Sequence, residues 1–367
     1  MIDVGYMKIA LELAKRGCGF VNPNPMVGAV IVKGDEIIGM GYHEKYGQPH
    51  AERNAILNCK KSPKGATLYV TLEPCCHYGK TPPCIDAIIE NGISEVVIGS
   101  SDPNPLVQGQ GVNILRNNGI KVIENVLKEE CDEINKAFFH YIKTKTPYVV
   151  MKYAMTIDGK IATYTGKSKW VTGEEARQNV HKDRNKYSAI MVGVGTVLAD
   201  NPMLNCRIEE GKNPIRIICD TNLRTPINSN IVESSKEIQT IIATCCEDEN
   251  KRNLYIDAGC KLLTLSKKDN HIDLNELMKH LGEENIDSIL LEGGGALNWS
   301  ALNSGIVNEV QTYIAPKIFG GIDSRSPVAG IGVENPQDSF YLKNKSIRQI
   351  GEDILIESEV IQRCLQE

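Results

Sequence analysis

Three short motifs impose the strongest constraint on how this chain can fold. They are His50-Ala51-Glu52, Glu73-Pro74-Cys75 and, further on, Cys84. A zinc ion in a hydrolytic site takes three protein ligands and leaves one position for water. One histidine and two cysteine thiolates can meet that requirement only if the fold brings the three segments together. We therefore predict His50, Cys75 and Cys84 as zinc ligands.

The surroundings of these residues support the prediction. Prolines stand directly before His50 and Cys84, where they favour the first turn of a helix. The positive end of a helix dipole stabilises a thiolate, which helps metal binding. Glu52 is too close to His50 along the chain to be a natural fourth ligand, so we expect it to shuttle protons. The alternative interpretation is a buried histidine with two structural thiols.

The remaining cysteines are interpreted differently. Cys76 could in principle compete for the metal, but Cys75 directly follows the proline and is the better ligand. Scattered residues such as Cys59 and Cys219 are expected to be reduced, partly buried thiols, since the chain is long and lacks an export signal.

Length and charge narrow the possible partners. A chain of 367 residues predicts two domains. A net charge of −5 argues against broad attraction to a phosphate backbone, and the low aromatic content argues against base stacking. No apolar run reaches the roughly 18 to 20 residues that a membrane span needs. We expect a cytoplasmic protein with no nucleic-acid partner and no membrane contact.

Strand and helix patterns alternate in two separate series. The polar stretch that ends at Pro147 suggests a boundary, giving domains 1–145 and 146–367. The first predicts a hairpin turned at Gly34-Asp35, then alternating strands and helices in a mixed α/β sheet, and finally a long helix from Lys128. The second predicts buried strands alternating with helices, and a tail from Val307 made of closing antiparallel strands.

Spacing identifies the first half more closely. H-x-E followed by P-C and a second cysteine is a signature of zinc deaminases. Eight residues, CHYGKTPP, separate the two cysteines, whereas nucleoside and nucleic-acid deaminases keep them closer. Together with the segments 22–28 (NPNPMVG), 41–47 (GYHEKYG) and 102–107 (DPNPLV), this resembles the deaminase half of the RibD-type family of bifunctional riboflavin-pathway enzymes.

The resemblance implies a substrate pocket. Asn24 and His43 would contact the pyrimidine side of the substrate, with His77 and Lys80 from the insert completing the pocket. Asn24 could also be a turn residue in its proline-flanked loop. The one departure from the expected pattern is Cys76, where a serine is expected, and it adds a site of oxidation.

The second half has no G-x-G-x-x-G after its first strand, which argues against a Rossmann fold. Residues 291–297 (LEGGGAL) instead predict a strand, a glycine turn and a helix whose N-terminus could bind a pyrophosphate. Alone, the glycines could equally form a tight turn. With 151–162, 168–173 and 192–202, they resemble the C-terminal reductase of the same family, which is similar to dihydrofolate reductase in fold.

That resemblance implies the following roles by position. The residues that would line an NADPH site are Ala154, Trp170, Thr196, Asp200 and Thr221. Those that would surround its phosphates are Gly294, Gly295, Ala296, Leu297, Asn298, Trp299 and Ser300. Those that would hold the substrate are Ser168, Arg184, Leu204, Arg207 and Glu292. Guanidinium groups match phosphate oxygens, so we expect the two arginines to clamp the substrate phosphate, although solvated surface arginines are the default alternative.

Three residues are candidates for proton handling near the sugar: Lys152, Asp200 and Glu292. The I-D-G-K aspartate, Asp158, is expected to be a turn residue. The family resemblance implies zinc and NADPH as cofactors, a phosphorylated pyrimidine substrate, deamination followed by reduction of its ribosyl group, and a homo-oligomer. Two rivals stay open: a nucleic-acid deaminase with an unrelated binding module, and a deaminase whose second domain is only a scaffold.

Overall fold

The computed structural model describes residues 3–78, 82–104 and 109–361, and the chain separates into two compact units, Met1–Lys145 and Thr146–Glu367. Each unit has a sheet and a hydrophobic core of its own. No helix in the described ranges is both long and apolar enough to cross a membrane.

The first unit is a five-stranded sheet with helices on both faces. Its strands are β1 (Gly28–Lys33), β2 (Glu36–Tyr42), β3 (Thr67–Leu72), β4 (Glu95–Ser100) and β5 (Lys121–Ile123). Its helices are α1 (Val4–Lys15), α2 (Ala51–Leu57), α3 (Cys84–Glu90), α4 (Gln110–Asn117), α5 (Lys128–Ile134) and α6 (Lys136–Thr144). The order is β2-β1-β3-β4-β5, with β1 antiparallel to both neighbours and β3, β4 and β5 parallel.

Strand alternation explains the two helical layers. In β1, Ala29 and Ile31 join the core under α2, α3 and α4, whereas Val30 and Val32 join the core under α1. Because successive side chains of a strand point to opposite faces, a strand that is apolar throughout needs cover on both sides. The predicted hairpin is confirmed, and its turn uses the left-handed backbone of Gly34.

The single long helix predicted from Lys128 is wrong, because the structure has two helices, α5 and α6. The break falls at Asn135, whose side chain accepts from the backbone N–H of Met26 at 2.8 Å and donates to the Met26 carbonyl at 2.9 Å. These two bonds hold Asn135 with a φ of −112°, outside the helical range. A tertiary contact therefore overrides the local helical preference.

The second unit is a nine-stranded sheet. Its strands are β6 (Tyr148–Thr156), β7 (Ala189–Gly193), β8 (Ile215–Cys219), β9 (Thr240–Thr244), β10 (Lys261–Thr264), β13 (Ser288–Leu291), β14 (Val307–Ala315), β15 (Tyr341–Ile350) and β16 (Asp353–Ile361). A separate small hairpin pairs β11 (Lys267–Lys268) with β12 (His271–Ile272). The helices are α7 (Glu174–Lys186), α8 (Val194–Asp200), α9 (Asn230–Glu233), α10 (Glu249–Ala258), α11 (Leu274–Glu283) and α12 (Gly295–Asn303).

The strand order is β10-β9-β8-β7-β13-β6-β14-β16-β15, parallel from β10 through β14. The tail prediction is correct for β15 and β16, which are antiparallel, but not fully for β14, which runs parallel to β6. The helix α12 returns the chain between β13 and β14, and such a crossover produces a parallel strand. The carboxyl ends of the parallel strands then lie at one edge, where α/β proteins bind ligands.

Candidate active sites

The first site is a His/Cys/Cys group in the first unit. His50 is the residue before α2, Cys84 is the first residue of α3, and Cys75 follows β3, so all three lie where an element begins or ends. The Nδ1 of His50 lies 3.5 Å from the Cys75 sulfur and 3.4 Å from the Cys84 sulfur. All three ligand atoms lie within 4.8 Å of one another. The predicted ligands are thus brought together.

This geometry fits zinc. Zinc bonds of about 2.3 Å to sulfur and about 2.0 Å to nitrogen, at tetrahedral angles, place nitrogen and sulfur about 3.5 Å apart. No fourth His, Cys, Asp or Glu of the described residues joins the group. Three ligands with an open position are typical of catalytic zinc sites, whereas structural sites are closed by four. A hydrogen bond from Cys84 and the nearby His50 lower the pKa of Cys75 to about 4, which favours the thiolate that a metal needs.

Glu52 lies in the first turn of α2 and is only 3% exposed. Burial raises the pKa of its carboxyl group. A side-chain hydrogen bond connects it to Cys84, so it borders the metal group without joining it. A buried carboxyl group at this place can accept and return a proton.

Asn24 and His43 form one wall beside the metal group. The Asn24 amide nitrogen lies 3.2 Å from Nε2 of His43, and the other ring nitrogen of His43 lies 3.2 Å from the Pro49 carbonyl. The rings of His43 and His50 meet edge to face at 5.3 Å. Asn24 is also a turn residue, since its N–H donates to the Val21 carbonyl, and its contact with the substrate stays a prediction.

The insert between the cysteines is only partly described. His77 is half-buried, and its buried Nδ1 has no hydrogen-bond partner among the described residues. The predicted substrate residue Lys80 lies outside the described residues, as do the last three residues of the 102–107 motif. Glu73, which had no predicted role, accepts from the backbone N–H groups of Asp102, Gly109 and Val112 and so holds the start of α4.

The second site is a cavity of about 290 Å³ in the second unit. The predicted residues that line it are Lys152, Ala154, Ser168, Trp170, Arg184, Asp200, Arg207, Glu292, Gly294 and Asn298. Among the other lining residues, Arg177 and His181 stand out as charged or titratable groups for which no role was predicted.

The remaining predicted residues lie outside the cavity lining. Thr196 donates to the carbonyl of Gly293 at 3.0 Å, Thr221 lies two residues after the end of β8, and Leu204 is buried in the loop after α8. The others belong to α12: Gly295, Ala296, Leu297, Trp299 and Ser300.

Two glycines in the turn before α12 have different surroundings. A Cβ on Gly295 would lie 2.8 Å from the Ser326 carbonyl, so packing requires glycine there. A Cβ on Gly294 would have only Thr196 Oγ1 near it, at 3.4 Å, and Gly294 lines the cavity. Packing thus explains one glycine, whereas the other leaves backbone exposed at a helix N-terminus.

A charged network forms one side of the cavity. Arg184 donates from Nε to one oxygen of Glu292 at 2.7 Å and from Nη2 to the other at 3.0 Å, while the Lys152 ammonium lies 3.7 Å away. Burial alone would raise the pKa of Glu292, but the charges of Arg184 and Lys152 outweigh it and lower the pKa to about 2. Glu292 is therefore an anion at every physiological pH.

The two predicted phosphate-binding arginines differ in availability. Arg184 uses Nε and Nη2 on Glu292 and Nη1 on the Asn205 carbonyl, at 3.1 Å. Arg207 is exposed and donates only from Nε, to Nε2 of His181 at 3.1 Å. Its two Nη groups have no hydrogen-bond partner in the described part of the chain, so Arg207 is the better placed of the two for a phosphate.

Two further relations complete this site. The Ser168 hydroxyl donates to Asp200 at 3.2 Å, joining two predicted residues at the cavity. Arg177 stacks over the Trp170 ring at 4.5 Å and donates to the Thr172 carbonyl. The sequence of α7 contains no local pattern that predicts these two contacts. Outside the cavity lining, Asp158 lies in the turn after β6, as expected, and it also accepts from the backbone N–H groups of Phe319 and Gly320.

Comparison with known proteins covers both units. Residues 2–100 match the cytidine and deoxycytidylate deaminase zinc-binding region, and residues 147–356 match the RibD C-terminal domain. The second match overturns the rival with an unrelated nucleic-acid-binding module. The predicted fold class, a cytidine-deaminase-like mixed-sheet domain followed by a dihydrofolate-reductase-like α/β domain, is confirmed.

Relatives extend over nearly the whole chain. The riboflavin biosynthesis protein RibD of Actinobacillus pleuropneumoniae is 57% identical over 98% of this chain and 96% of its own length. That of Escherichia coli is 39% identical over 97% and 99%. The structure is similar to a diaminohydroxyphosphoribosylaminopyrimidine deaminase/5-amino-6-(5-phosphoribosylamino)uracil reductase from Thermotoga maritima (TM-score 0.87, 40% identity, 98% of each chain). It is also similar to Acinetobacter baumannii RibD (TM-score 0.88, 36% identity, 98% of this chain and 99% of that one). This chain belongs to the RibD family of bifunctional riboflavin biosynthesis enzymes, which combine a zinc-binding deaminase domain with an NADPH-dependent reductase domain.

Proposed function

We propose that residues 1–145 deaminate a diaminopyrimidinone ribosyl phosphate and that residues 146–367 then reduce its ribosyl group to ribityl. The observation that carries this proposal is that two chemically different sites occur in one chain: an open His/Cys/Cys group beside a buried glutamate, and a cavity with an arginine–glutamate–lysine network. The deaminase and reductase activities of the Thermotoga maritima relative support this substrate.

For the deamination, His50, Cys75 and Cys84 would hold zinc, which when bound supplies a water activated for attack. Glu52 transfers the two protons of the attacking water, one to the neighbouring ring nitrogen and one to the leaving amine, which departs as ammonia and leaves a carbonyl on the ring. Asn24 and His43, joined by their 3.2 Å contact, orient the pyrimidine. His77, whose buried Nδ1 has no hydrogen-bond partner among the described residues, and Lys80 are proposed as further substrate residues.

For the reduction, the cavity would hold NADPH, which when bound supplies a hydride. Glu292 holds Arg184 in place and lies 3.7 Å from the Lys152 ammonium, and Lys152 and Asp200 handle protons as the sugar ring opens. Arg207 binds the substrate phosphate, with Ser168 and Leu204 beside it. Ala154, Trp170, Thr196, Thr221 and residues 294–300 bind the nicotinamide cofactor and its phosphates.

The test supplies purified protein with the diaminopyrimidinone ribosyl phosphate and follows ammonia release, then NADPH oxidation. We expect Glu52→Gln to abolish ammonia release and to leave NADPH oxidation intact when deaminated substrate is supplied. Glu12→Gln, an exposed glutamate whose side chain is 72% accessible, is the matched control. Absence of ammonia release from zinc-replete protein would refute the deaminase proposal. Ammonia release without NADPH oxidation would favour the second unit as a scaffold.

We also propose that the chain forms a homo-oligomer through the edge strand β15. All but two of its ten residues are exposed, including the apolar Tyr341, Leu342 and Ile347. A long exposed edge strand is a template for pairing with another chain. Light scattering should give a mass above that of one chain, reduced by Ile347→Lys. A monomeric wild-type protein would refute the proposal.

The proposed location is the cytoplasm. No disulfide joins the described cysteines, and Cys75 and Cys84 must remain reduced to bind a metal. Cell fractionation of the tagged full chain tests this location.

A further inference from the structure

Arg216, in β8, is a fully buried arginine outside the cavity lining. Burial lowers the pKa of its guanidinium to about 10, so it keeps its charge at neutral pH. It forms no ion pair with any carboxylate in the described ranges. Burying a charge without a counterion is unfavourable unless its hydrogen bonds are satisfied. The hydrogen bonds of Arg216 must therefore compensate for the missing counterion.

Most of these bonds stay within the core near β9 and α9. Nε and Nη2 donate to the Thr240 hydroxyl, and Nη2 also donates to the carbonyls of Ile231 and Ile238. Nη1 donates to the Ser234 hydroxyl at 2.8 Å. The remaining bond runs from Nη1 to the carbonyl of Met203 at 3.2 Å, in the segment that follows α8.

This segment, residues 201–207, is the pocket loop, and it is held from several sides. Asn230 donates to Asn201 from its backbone N–H at 2.9 Å and from its side chain at 2.7 Å. Arg216 holds the Met203 carbonyl, and Arg184 holds the Asn205 carbonyl at 3.1 Å. Two arginines thus hold carbonyls on either side of Leu204.

The backbone conformation of Leu204 explains why these hydrogen bonds are needed. Its φ is +50°, in the left-handed region that a leucine rarely adopts, and it is only 4% exposed. A residue keeps such a conformation only when its surroundings fix it. Because Arg207 follows three residues later and reaches the cavity, the backbone set at Met203 and Asn205 determines where its guanidinium lies.

We propose that Arg216 is a positioning residue for the reductase pocket: by holding the Met203 carbonyl it fixes the pocket loop that presents Arg207 to the phosphorylated substrate. This inference rests on the proposed reductase function. Arg216, a buried residue that does not line the cavity, would then determine the affinity for the substrate.

The test compares Arg216→Lys with wild type in the full chain. Lysine keeps the charge but cannot reach the Met203 carbonyl and the Thr240 hydroxyl at once. We expect the KM for the deaminated ribosylamino substrate to rise about tenfold, with kcat and the KM for NADPH each within about twofold. Amide hydrogen exchange in residues 203–207 should become faster, while exchange in β7 stays unchanged.

A second variant keeps the test decisive if Arg216→Lys does not fold. Asn230→Ala, at a surface position, removes the side-chain hydrogen bond to the Asn201 carbonyl at the start of the pocket loop. This substitution should also raise the KM for the deaminated ribosylamino substrate. Ribose 5-phosphate, as a binding probe, should lose affinity in both folded variants. An unchanged substrate KM in folded variants overturns the proposal. A fall in kcat and in thermal stability together with a rise in both KM values also overturns the proposal, because that combination indicates a merely structural role.

The proposed function is tested separately by the wild-type protein. If wild type fails to oxidise NADPH, the reductase proposal fails, and hydrogen exchange in the pocket loop still reports whether Arg216 holds it. If wild type is active and the variants match it, the reductase proposal stands and the role of Arg216 is refuted.

Discussion

Arg184 holds both carboxylate oxygens of Glu292, at 2.7 and 3.0 Å, at the edge of the cavity in the second unit. Both side chains are nearly buried, at 13% and 11% exposure. The pair orients a carboxylate toward the Lys152 ammonium and fixes the charge pattern of the cavity. It also restricts Arg184, whereas the exposed Arg207 donates only from Nε among the described residues.

Breaking this pair should affect both stability and reduction. Glu292→Gln leaves two buried cations without their counterion, so we expect the free energy of unfolding to fall by about 3 kcal/mol. The kcat/KM for NADPH oxidation should fall about 100-fold, with ammonia release unchanged. Denaturant unfolding and steady-state rates measure these effects. The control is Glu284→Gln, which breaks the more exposed pair with Lys261 and should cost less than about 1 kcal/mol. Equal losses in both variants would contradict the prediction.

Acid should destabilise the second unit partly through His181. Burial, together with the charges of Arg184 and Arg207, lowers the pKa of this histidine to about 4 from its ordinary value of 6.5. A histidine held neutral in the fold contributes stability that is complete above pH 6.5 and is lost as pH falls toward 4. After allowance for solvent screening, wild type should lose on the order of 1 kcal/mol more than His181→Gln between pH 7 and pH 5. Urea unfolding at the two pH values measures the difference. Equal losses of unfolding free energy in wild type and His181→Gln would contradict the prediction.

Metal removal should separate the two activities. A chelator should abolish ammonia release and lower the melting temperature of the first unit, since metal binding adds to folding free energy. NADPH oxidation with deaminated substrate should stay within about twofold. Cys84→Ser should behave like chelation, and Cys59→Ser, outside the metal group, like wild type. Loss of both activities on chelation would show that the prediction is wrong.

Two neighbouring glycines should respond differently to the same change. Gly295→Ala places a Cβ 2.8 Å from the Ser326 carbonyl and should lower the free energy of unfolding by about 1 to 3 kcal/mol. Gly294→Ala has room for the methyl group but projects it at the cavity edge, so the KM for NADPH should rise about tenfold with little change in stability. Unfolding and kinetic measurements on both variants test this contrast. Identical behaviour would mean that the turn serves packing alone.

Local pattern was enough to predict the metal group, because proline entries and motif order mark where helices begin at His50 and Cys84. It was also enough to predict alternating strands and helices in both units. It could not predict the break at Asn135, since the cause is a contact with Met26, 109 residues away along the chain.

The cavity of the second unit was harder to predict in detail. Arg177 and His181 lie in an ordinary polar helix, and Arg216 lies in an ordinary apolar strand. Their roles depend on which backbone or side chain lies opposite in space, such as Trp170, Arg207 or Met203. The engagement of Arg184 by Glu292 is likewise a property of packing and not of any local spacing.

The bonds between Asn135 and Met26 bear on where this enzyme can be divided. The zinc-binding region shared with other deaminases ends at residue 100, which suggests a natural place to cut a minimal fragment. Met26, however, lies two residues after Asn24, and both its backbone groups are held by a side chain from beyond that point. A fragment ending at residue 100 would retain all three metal ligands but lose the two hydrogen bonds that hold the loop around Met26. A deaminase fragment that keeps this support must therefore extend at least to Asn135, beyond the end of the shared region.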